Sequence, residues 1–143
     1  MENGAISLCT KLVATKAQDD KLMSWLKSDI KNKNWVKCYT KTTRTSNKQW
    51  VSKCGGKWNL LTLIKTSGGK VIGGYNYQYF RTSGGNYVGD TNAFLFSLSN
   101  LHKHSGNQNV GSYGIYYHAT AYSACFGGGH DLCVPLDESS KAW

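Results

Sequence analysis

His130 and Asp131 are the neighbouring residues of this sequence whose types are best suited to chemistry. A histidine beside an aspartate can orient a general base or help to bind a metal ion. Adjacent residues of a strand point to opposite faces, however, so the two side chains are not expected to cooperate directly. A hydrolase would also need a third group in register, and the sequence offers none. The pair is therefore expected to cap a turn, with Asp131 accepting backbone N–H groups.

Three other groups of residues invite a catalytic or metal-binding interpretation. Cys125 lies beside the same turn, but nothing near it in sequence would obviously activate its thiol. The run 127–129 consists of three glycines and lacks the Gly-Lys-Ser/Thr ending of a phosphate-binding loop. His102 and His104 are two residues apart in a polar segment, which is a weak pattern for a metal site. The sequence therefore predicts no catalytic residue, no enzymatic activity, no metal and no cofactor.

A sugar-binding site is the alternative function that the composition favours. The chain has 9 Tyr and 5 Trp, many loop asparagines and glycines, and few acidic residues. Lectins stack aromatic rings on sugars and fix the hydroxyl groups with polar side chains, and oxygen ligands would also suit calcium, the alternative cofactor. The same side chains could simply pack in a sheet or cap a turn. The candidate binding residues are Tyr75, Tyr77, Asp90, Asn92, His130 and Asp131.

The positive charge is concentrated in the N-terminal half. The formal net charge is +9, and 14 of the 17 Lys and Arg lie in residues 1–70. Such asymmetry attracts acidic partners, although singly spaced lysines can also serve solubility alone. An acidic protein surface or a glycan is the expected partner. Nucleic acid ranks third, because no RNP, KH or helix-turn-helix pattern is present.

The sequence also carries signals about compartment. It begins without a basic region followed by an apolar one, and no apolar run approaches the roughly 20 residues that cross a bilayer. We therefore expect no membrane span and a cytoplasmic protein; a secreted protein whose leader is not in this sequence is the alternative. The 5 cysteines are an odd number, and this favours reduced, mostly buried thiols over a disulfide framework.

One helix and several strands must position these residues. A helix is predicted over about 15–29, because Thr15 and Gln18 form a capping-box pattern and apolar residues recur at helical spacing. A hairpin is predicted from the apolar run at 60–64, the Ser-Gly-Gly turn and a return strand at 71–79. Further strands are predicted at 35–40, 93–98, 114–118 and just before Pro135, with a short helix opened by Ser46. Loops are predicted at 81–90 and 102–112.

Several of these segments resemble, in their order, motifs of the TLDc family. Residues 35–39 (Trp-Val-Lys-Cys-Tyr) are similar to its W-x-L-C/L-Y strand. Residues 90–98 are similar to its D-x-x-A-F-L-F-S-L segment, and 126–132 to its F-G-G-G-H-D-L turn. The other matching segments are 54–57, 61–65 and 71–75. The resemblance extends over about residues 12–135.

The resemblance implies an α+β fold, a twisted antiparallel β-sandwich edged by a few short helices. It implies a single domain over 1–143, with the N-terminal helix at about 15–29 and a β-rich part at 35–135. It also implies a non-enzymatic interaction domain, associated with protection against oxidative damage and with binding to the vacuolar proton pump. Residues 41–44 depart from the R-x-S-x-D-G stretch of the family. The sequence ends at Trp143, before the segment that normally supplies the family's final strands. We therefore expect a sheet edge that is covered by a neighbour, by a second copy in a homo-oligomer or by a rearranged terminus.

Overall fold

The computed structural model describes residue 8 and residues 10–31, 33–41, 48–107 and 109–136. Within these residues the chain forms two antiparallel sheets of four strands each, together with short helices. The predicted α+β sandwich is confirmed.

Three of the described helices precede the strands, and the fourth lies between the fifth and sixth strands. The helices are α1 (Lys16–Trp25), α2 (Ser28–Lys31), α3 (Lys48–Cys54) and α4 (Val110–Tyr113). The strands are β1 (Leu60–Lys65), β2 (Val71–Asn76), β3 (Gly85–Val88), β4 (Phe94–Ser97), β5 (His102–Ser105), β6 (Ile115–His118), β7 (Tyr122–Phe126) and β8 (Leu132–Pro135). The first sheet has the order β1-β2-β4-β5 and the second β3-β6-β7-β8.

The layers follow from the alternation of side chains along the strands. In β2 and β4 the residues on one face, among them Tyr75 and Phe96, pack against Leu22 and the rest of the helical layer of α1 and α2. The opposite face of the first sheet packs on the second sheet, where Phe126 is buried together with Phe80 and other apolar side chains. Among the described residues, the first sheet is therefore covered on both faces, whereas no helix of this part of the chain covers the outer face of the second sheet.

The N-terminal helix is shorter than the sequence predicts. Thr15 caps α1 as expected, because its side chain accepts a hydrogen bond from the Gln18 N–H. The prediction continued the helix to Asp29, but Leu26 has the extended dihedrals φ −85° and ψ 151°. Its N–H donates to the Met23 carbonyl, which closes the helix with a tight turn. A separate helical turn, α2, follows at Ser28–Lys31.

Residues 35–40 do not form the predicted strand. Within the part of the chain that the structure describes, these residues belong to neither sheet, and Trp35 and Tyr39 pack against the two cores. A disulfide between Cys38 and Cys54 joins this segment to the end of α3, with 5.5 Å between the two Cα atoms. A covalent bond therefore holds in place a segment that was predicted to be a strand.

Three strands were not predicted. The segment 81–90 contains β3, and 102–112 contains both β5 and α4, so both loop predictions are wrong. The strand β7 was not foreseen at all. The predicted hairpin of β1 and β2, the strand β4, and the strands β6 and β8 are present. The predicted short helix is α3, whereas Ser46 lies outside the described residues.

Four of the cysteines are paired, although the sequence favoured reduced thiols. Besides Cys38–Cys54, a second disulfide joins Cys125 in β7 to Cys133 in β8. These two residues lie directly opposite each other in the antiparallel ladder, with their Cα atoms 4.0 Å apart. Cys9 lies outside the described residues.

Candidate functional site

The outer face of the second sheet carries a group of aromatic rings. Tyr116 in β6 and Tyr122 in β7 lie 6.1 Å apart between ring centroids, and Tyr87 in β3 lies 4.8 Å from Tyr116. His130, in the turn between β7 and β8, is packed among these three, and its ring centroid is 4.6 Å from that of Tyr116. We call these four residues the outer aromatic cluster.

The backbone of the turn explains how His130 reaches this face. His130 has a φ of 59°, in the left-handed region that residues other than glycine adopt infrequently. This conformation turns the side chain back over the sheet, where its Nε2 lies 3.3 Å from the hydroxyl oxygen of Tyr87. The same hydroxyl donates to the Gly128 carbonyl at 3.0 Å. The imidazole is thus held by neighbours on several sides.

Two cysteines lie beside His130. One ligand atom from each of Cys125, His130 and Cys133 falls within 4.8 Å of the others. Cys125 is completely buried, whereas His130 and Cys133 are partly exposed. Sequence neighbours indicate no third group beside His130, whereas the fold brings two cysteines to it.

Asp131 lies on a different side of the turn from His130. It lines a cleft of about 650 Å³ between the first sheet, α4 and the glycine turn. Gly127 has a φ of 86°, so the backbone at this position favours glycine, and the exposed Asp131 carboxylate lies directly beside it. The His130 and Asp131 side chains therefore face different parts of the molecule.

Asp90 has a structural position. It is 2% exposed, its Oδ2 accepts hydrogen bonds from the N–H groups of Tyr77 and Gln78, each at 2.8 Å, and its Oδ1 accepts from the Asn92 N–H at 3.0 Å. The carboxylate therefore ties the end of β2 to the turn before β4. Its oxygens are occupied by the backbone, and this gives the calcium alternative no support.

Tyr75 also faces the interior. Its side chain is 2% exposed, packs against Phe94, and donates from its hydroxyl to the side-chain oxygen of Asn59 at 2.7 Å. The six candidate binding residues are thus divided between the core, the turn at Asp90 and Asn92, the outer aromatic cluster, the cleft at Asp131 and an exposed position at Tyr77. Their separation does not support sugar binding by this set.

Tyr75→Phe is expected to lower the free energy of unfolding at pH 7 by about 1 kcal/mol, because the hydrogen bond to Asn59 is lost. Burial, followed by the negative charge of Asp90, raises the pKa of the Tyr75 phenol above its ordinary value of about 10. The stabilising effect of the neutral phenol is therefore complete below pH about 10. It declines above that pH, because the unfolded chain releases a proton that the folded chain retains.

Urea unfolding at pH 7 and pH 11 tests both statements. The difference in stability between the wild type and Tyr75→Phe should shrink by about 1 kcal/mol at the higher pH, while the other tyrosines affect both proteins alike. A difference that stays constant with pH would contradict the proposed burial effect.

A second exposed surface lies where the N-terminal segment meets the first sheet. Trp58 is 48% exposed and packs edge-on against Tyr77 with 5.1 Å between ring centroids. Val36 is 86% exposed, and the lysines Lys33 and Lys57 stand at the same place. These five residues line a shallow cleft of about 440 Å³, and we call them the Trp58 surface.

Sequence reasoning found only part of these two sites. Of their residues, Tyr77 and His130 were nominated, but Trp58, Cys133 and the three tyrosines of the outer aromatic cluster were not. The signal for Trp58 was present, because it is a large aromatic residue between Lys57 and Asn59 in a glycine-containing turn. Cys133 had no such signal, because its neighbour in space depends on the register between β7 and β8.

Comparison with known proteins identifies the family. A sequence model of the TLDc domain matches residues 9–141 of the 143-residue chain. No curated protein matches the sequence. Among the described residues, no helix is both long enough and apolar enough to cross a membrane. The TLDc match suggests a protein-interaction role, and because it spans nearly the entire sequence, the chain belongs to the TLDc family.

Proposed function

We propose that this chain is a non-enzymatic interaction domain that binds an acidic partner protein through the Trp58 surface. The observation that carries the proposal is the exposure of Trp58 and Val36, two large apolar side chains, beside the cleft. Large exposed apolar side chains rimmed by polar residues are typical of protein-binding sites.

The composition of the surface fits a protein contact. Tryptophan and tyrosine are enriched among the residues that contribute most to binding, because they bury a large area and keep a polar group at the rim. The ring centroid of Trp58 lies 5.1 Å from that of Tyr77 and 5.1 Å from that of Tyr79, so its ring is supported before any partner arrives. A supported ring loses little side-chain freedom on binding.

The positive charge around the Trp58 surface indicates that the partner is negatively charged. Lys33 and Lys57 are exposed and line the cleft, and the nearby Lys37 is exposed as well. Asp29 lines the same cleft but does not offset these positive charges. Acidic side chains of a partner would be attracted to this rim and would accelerate association.

The side chains that could do chemistry make structural contacts, and this supports a non-enzymatic role. The Asp90 carboxylate accepts three backbone N–H groups, and Cys125 is bonded to Cys133. Asp131 and His130 face different parts of the molecule. Each of these groups makes structural contacts, and they do not converge on one position where a substrate could meet them together.

The TLDc resemblance offers a first partner for the test. It associates the family with the vacuolar proton pump and with protection against oxidative damage, and both are proposals for this chain. A soluble part of the pump that exposes acidic residues would satisfy the chemistry of the Trp58 surface.

Trp58→Ala is expected to weaken binding to the purified soluble sector of the pump by about tenfold or more, as measured by biolayer interferometry. Lys57→Glu is expected to slow association and to reduce its dependence on salt, because a favourable charge at the rim becomes unfavourable. Matched controls are Tyr113→Ala, which removes an aromatic residue that is 47% exposed elsewhere, and Lys70→Glu, which makes the same charge change on the turn after β1.

Two outcomes would contradict the proposal at different levels. If no variant binds and the wild type does not bind either, the pump is not the partner. If the wild type binds and the control variants weaken binding as much as Trp58→Ala does, another surface makes the contact.

A further inference from the structure

We propose that Cys125, His130 and Cys133 form a binding site for a zinc-like divalent metal ion when the two cysteines are reduced. The site shares no residue with the Trp58 surface, so it does not depend on the proposed function. Each of the three residues supplies one ligand atom, and the three atoms already lie within 4.8 Å of one another.

The backbone presents the two sulfur atoms together. Cys125 and Cys133 are directly opposed in the ladder of β7 and β8, and their Cα atoms are 4.0 Å apart. In a tetrahedral zinc site with Zn–S bonds of about 2.3 Å, two sulfurs lie about 3.8 Å apart. Rotation of the two side chains reaches this separation from the disulfide without moving the strands. The adjacent pair Phe126–Leu132 continues the ladder on one side of the two cysteines.

The hydrogen bonds of His130 leave a nitrogen free for a metal. Tyr87 has one hydroxyl proton, and its oxygen lies 3.0 Å from the Gly128 carbonyl, which has no proton and can only accept. The Tyr87 oxygen, 3.3 Å from Nε2 of His130, is then the acceptor of an Nε2–H group. In that tautomer the lone pair of the neutral imidazole is on Nδ1. A histidine that donates from one nitrogen and ligates with the other is the usual arrangement in metal sites.

The surroundings also suit a bound metal. Cys125 is fully buried, while His130 and Cys133 are partly exposed, so these two residues connect the group to solvent. Tyr116 and Tyr122 hold the imidazole from other directions. Two thiolates and one imidazole match the preference of zinc for sulfur and nitrogen ligands and leave the fourth position to water.

The disulfide and the metal exclude each other. A two-electron oxidant such as hydrogen peroxide would take one electron from each thiolate; the S–S bond forms, the peroxide with two protons becomes two water molecules, and the metal ion is released. A dithiol or phosphine reductant reverses the oxidation and restores both ligands. The structure shows the oxidised member of this pair.

Cobalt(II) provides the direct test, because thiolate ligands give it an intense charge-transfer absorption. The full chain is reduced with a phosphine under nitrogen and titrated with Co²⁺, followed by Zn²⁺. We expect one equivalent of Co²⁺ to produce the thiolate band and Zn²⁺ to abolish it. Hydrogen peroxide should then release one equivalent of zinc, as measured with a chelating dye.

His130→Asn is the decisive variant, because asparagine tolerates a positive φ and lacks the imidazole. It should weaken metal affinity by at least about tenfold. His118→Asn removes the other histidine of this face, which lies 6.3 Å from Tyr122, and should leave affinity unchanged. The double variant Cys125→Ser/Cys133→Ser should lose the band, while Cys38→Ser/Cys54→Ser should keep it.

Circular dichroism confirms that each variant is folded before titration. Absence of the thiolate band in the reduced, folded wild type would overturn the proposal. So would a band that survives Cys125→Ser/Cys133→Ser, or equal affinities for the wild type and His130→Asn.

Discussion

Asp90→Ala is expected to lower the free energy of unfolding by about 3–5 kcal/mol, because three backbone N–H groups lose their acceptor in a buried turn. The carboxylate is 2% exposed, so water has little access to replace it. The groups that it joins belong to the end of β2 and to the turn before β4, two neighbouring strands of the first sheet. Losing this contact should therefore disturb the centre of the sandwich.

Chemical denaturation measures the effect, and two variants calibrate it. Asp90→Asn keeps one oxygen as an acceptor and should lose about half as much stability. Asp20→Ala removes an exposed carboxylate that pairs with Lys16 four residues earlier in α1, and it should cost about 0.5 kcal/mol or less. A loss for Asp90→Ala as small as that for Asp20→Ala would mean that the turn is held by other contacts.

Gly74→Ala is expected to cost about 2–3 kcal/mol, because the added methyl group has no space between the sheets. A Cβ atom at this position would lie 2.6 Å from Cζ of Phe126 and 2.7 Å from its Cε2. Phe126 is 2% exposed and packs edge-on against Phe80, so its ring cannot simply move away. The absence of a side chain at Gly74 is therefore what allows the two sheets to approach.

A double-mutant cycle separates this collision from a general effect of alanine. Phe126→Leu shortens the opposing side chain, so the double variant should lose less stability than the sum of the single variants. Gly111→Ala, in α4, meets no atom within 4 Å and should be neutral or stabilise by about 0.5–1 kcal/mol. Additive losses in the cycle would show that Phe126 is not the obstacle.

The elements that the sequence predicts correctly are those whose stabilisation is local. The hairpin of β1 and β2 has two apolar runs and a glycine turn within residues 60–76, and β4 is apolar at three of its four positions (Phe94–Ser97). In contrast, β5 consists of two histidines, a lysine and a serine, and it forms a strand because β4 provides a partner. The residues of β5 show no periodicity from which this pairing could be predicted.

The candidate sites were harder to foresee for the same reason. The sequence predicts that His130 lies in a glycine turn, but it does not predict the strand β7 before that turn, because β7 contains small residues in place of β-branched ones. Without β7 the register that sets Cys125 opposite Cys133 could not be derived. For residues 35–40 the error was the opposite one. A strand was predicted there, but the segment is held in place by a disulfide from Cys38.

The strand order has a consequence for synthesis of the chain on the ribosome. The four strands of the first sheet lie within residues 60–105, but β3, in the middle of that stretch, pairs with β6, which begins at Ile115. At about 5–20 residues per second, β3 must wait roughly one to five seconds for its partner. During that interval the first sheet can already bind its helices, while its other face, with Gly74 and Leu95, still lacks a cover. This face is the apolar surface that a chaperone would meet on the nascent chain.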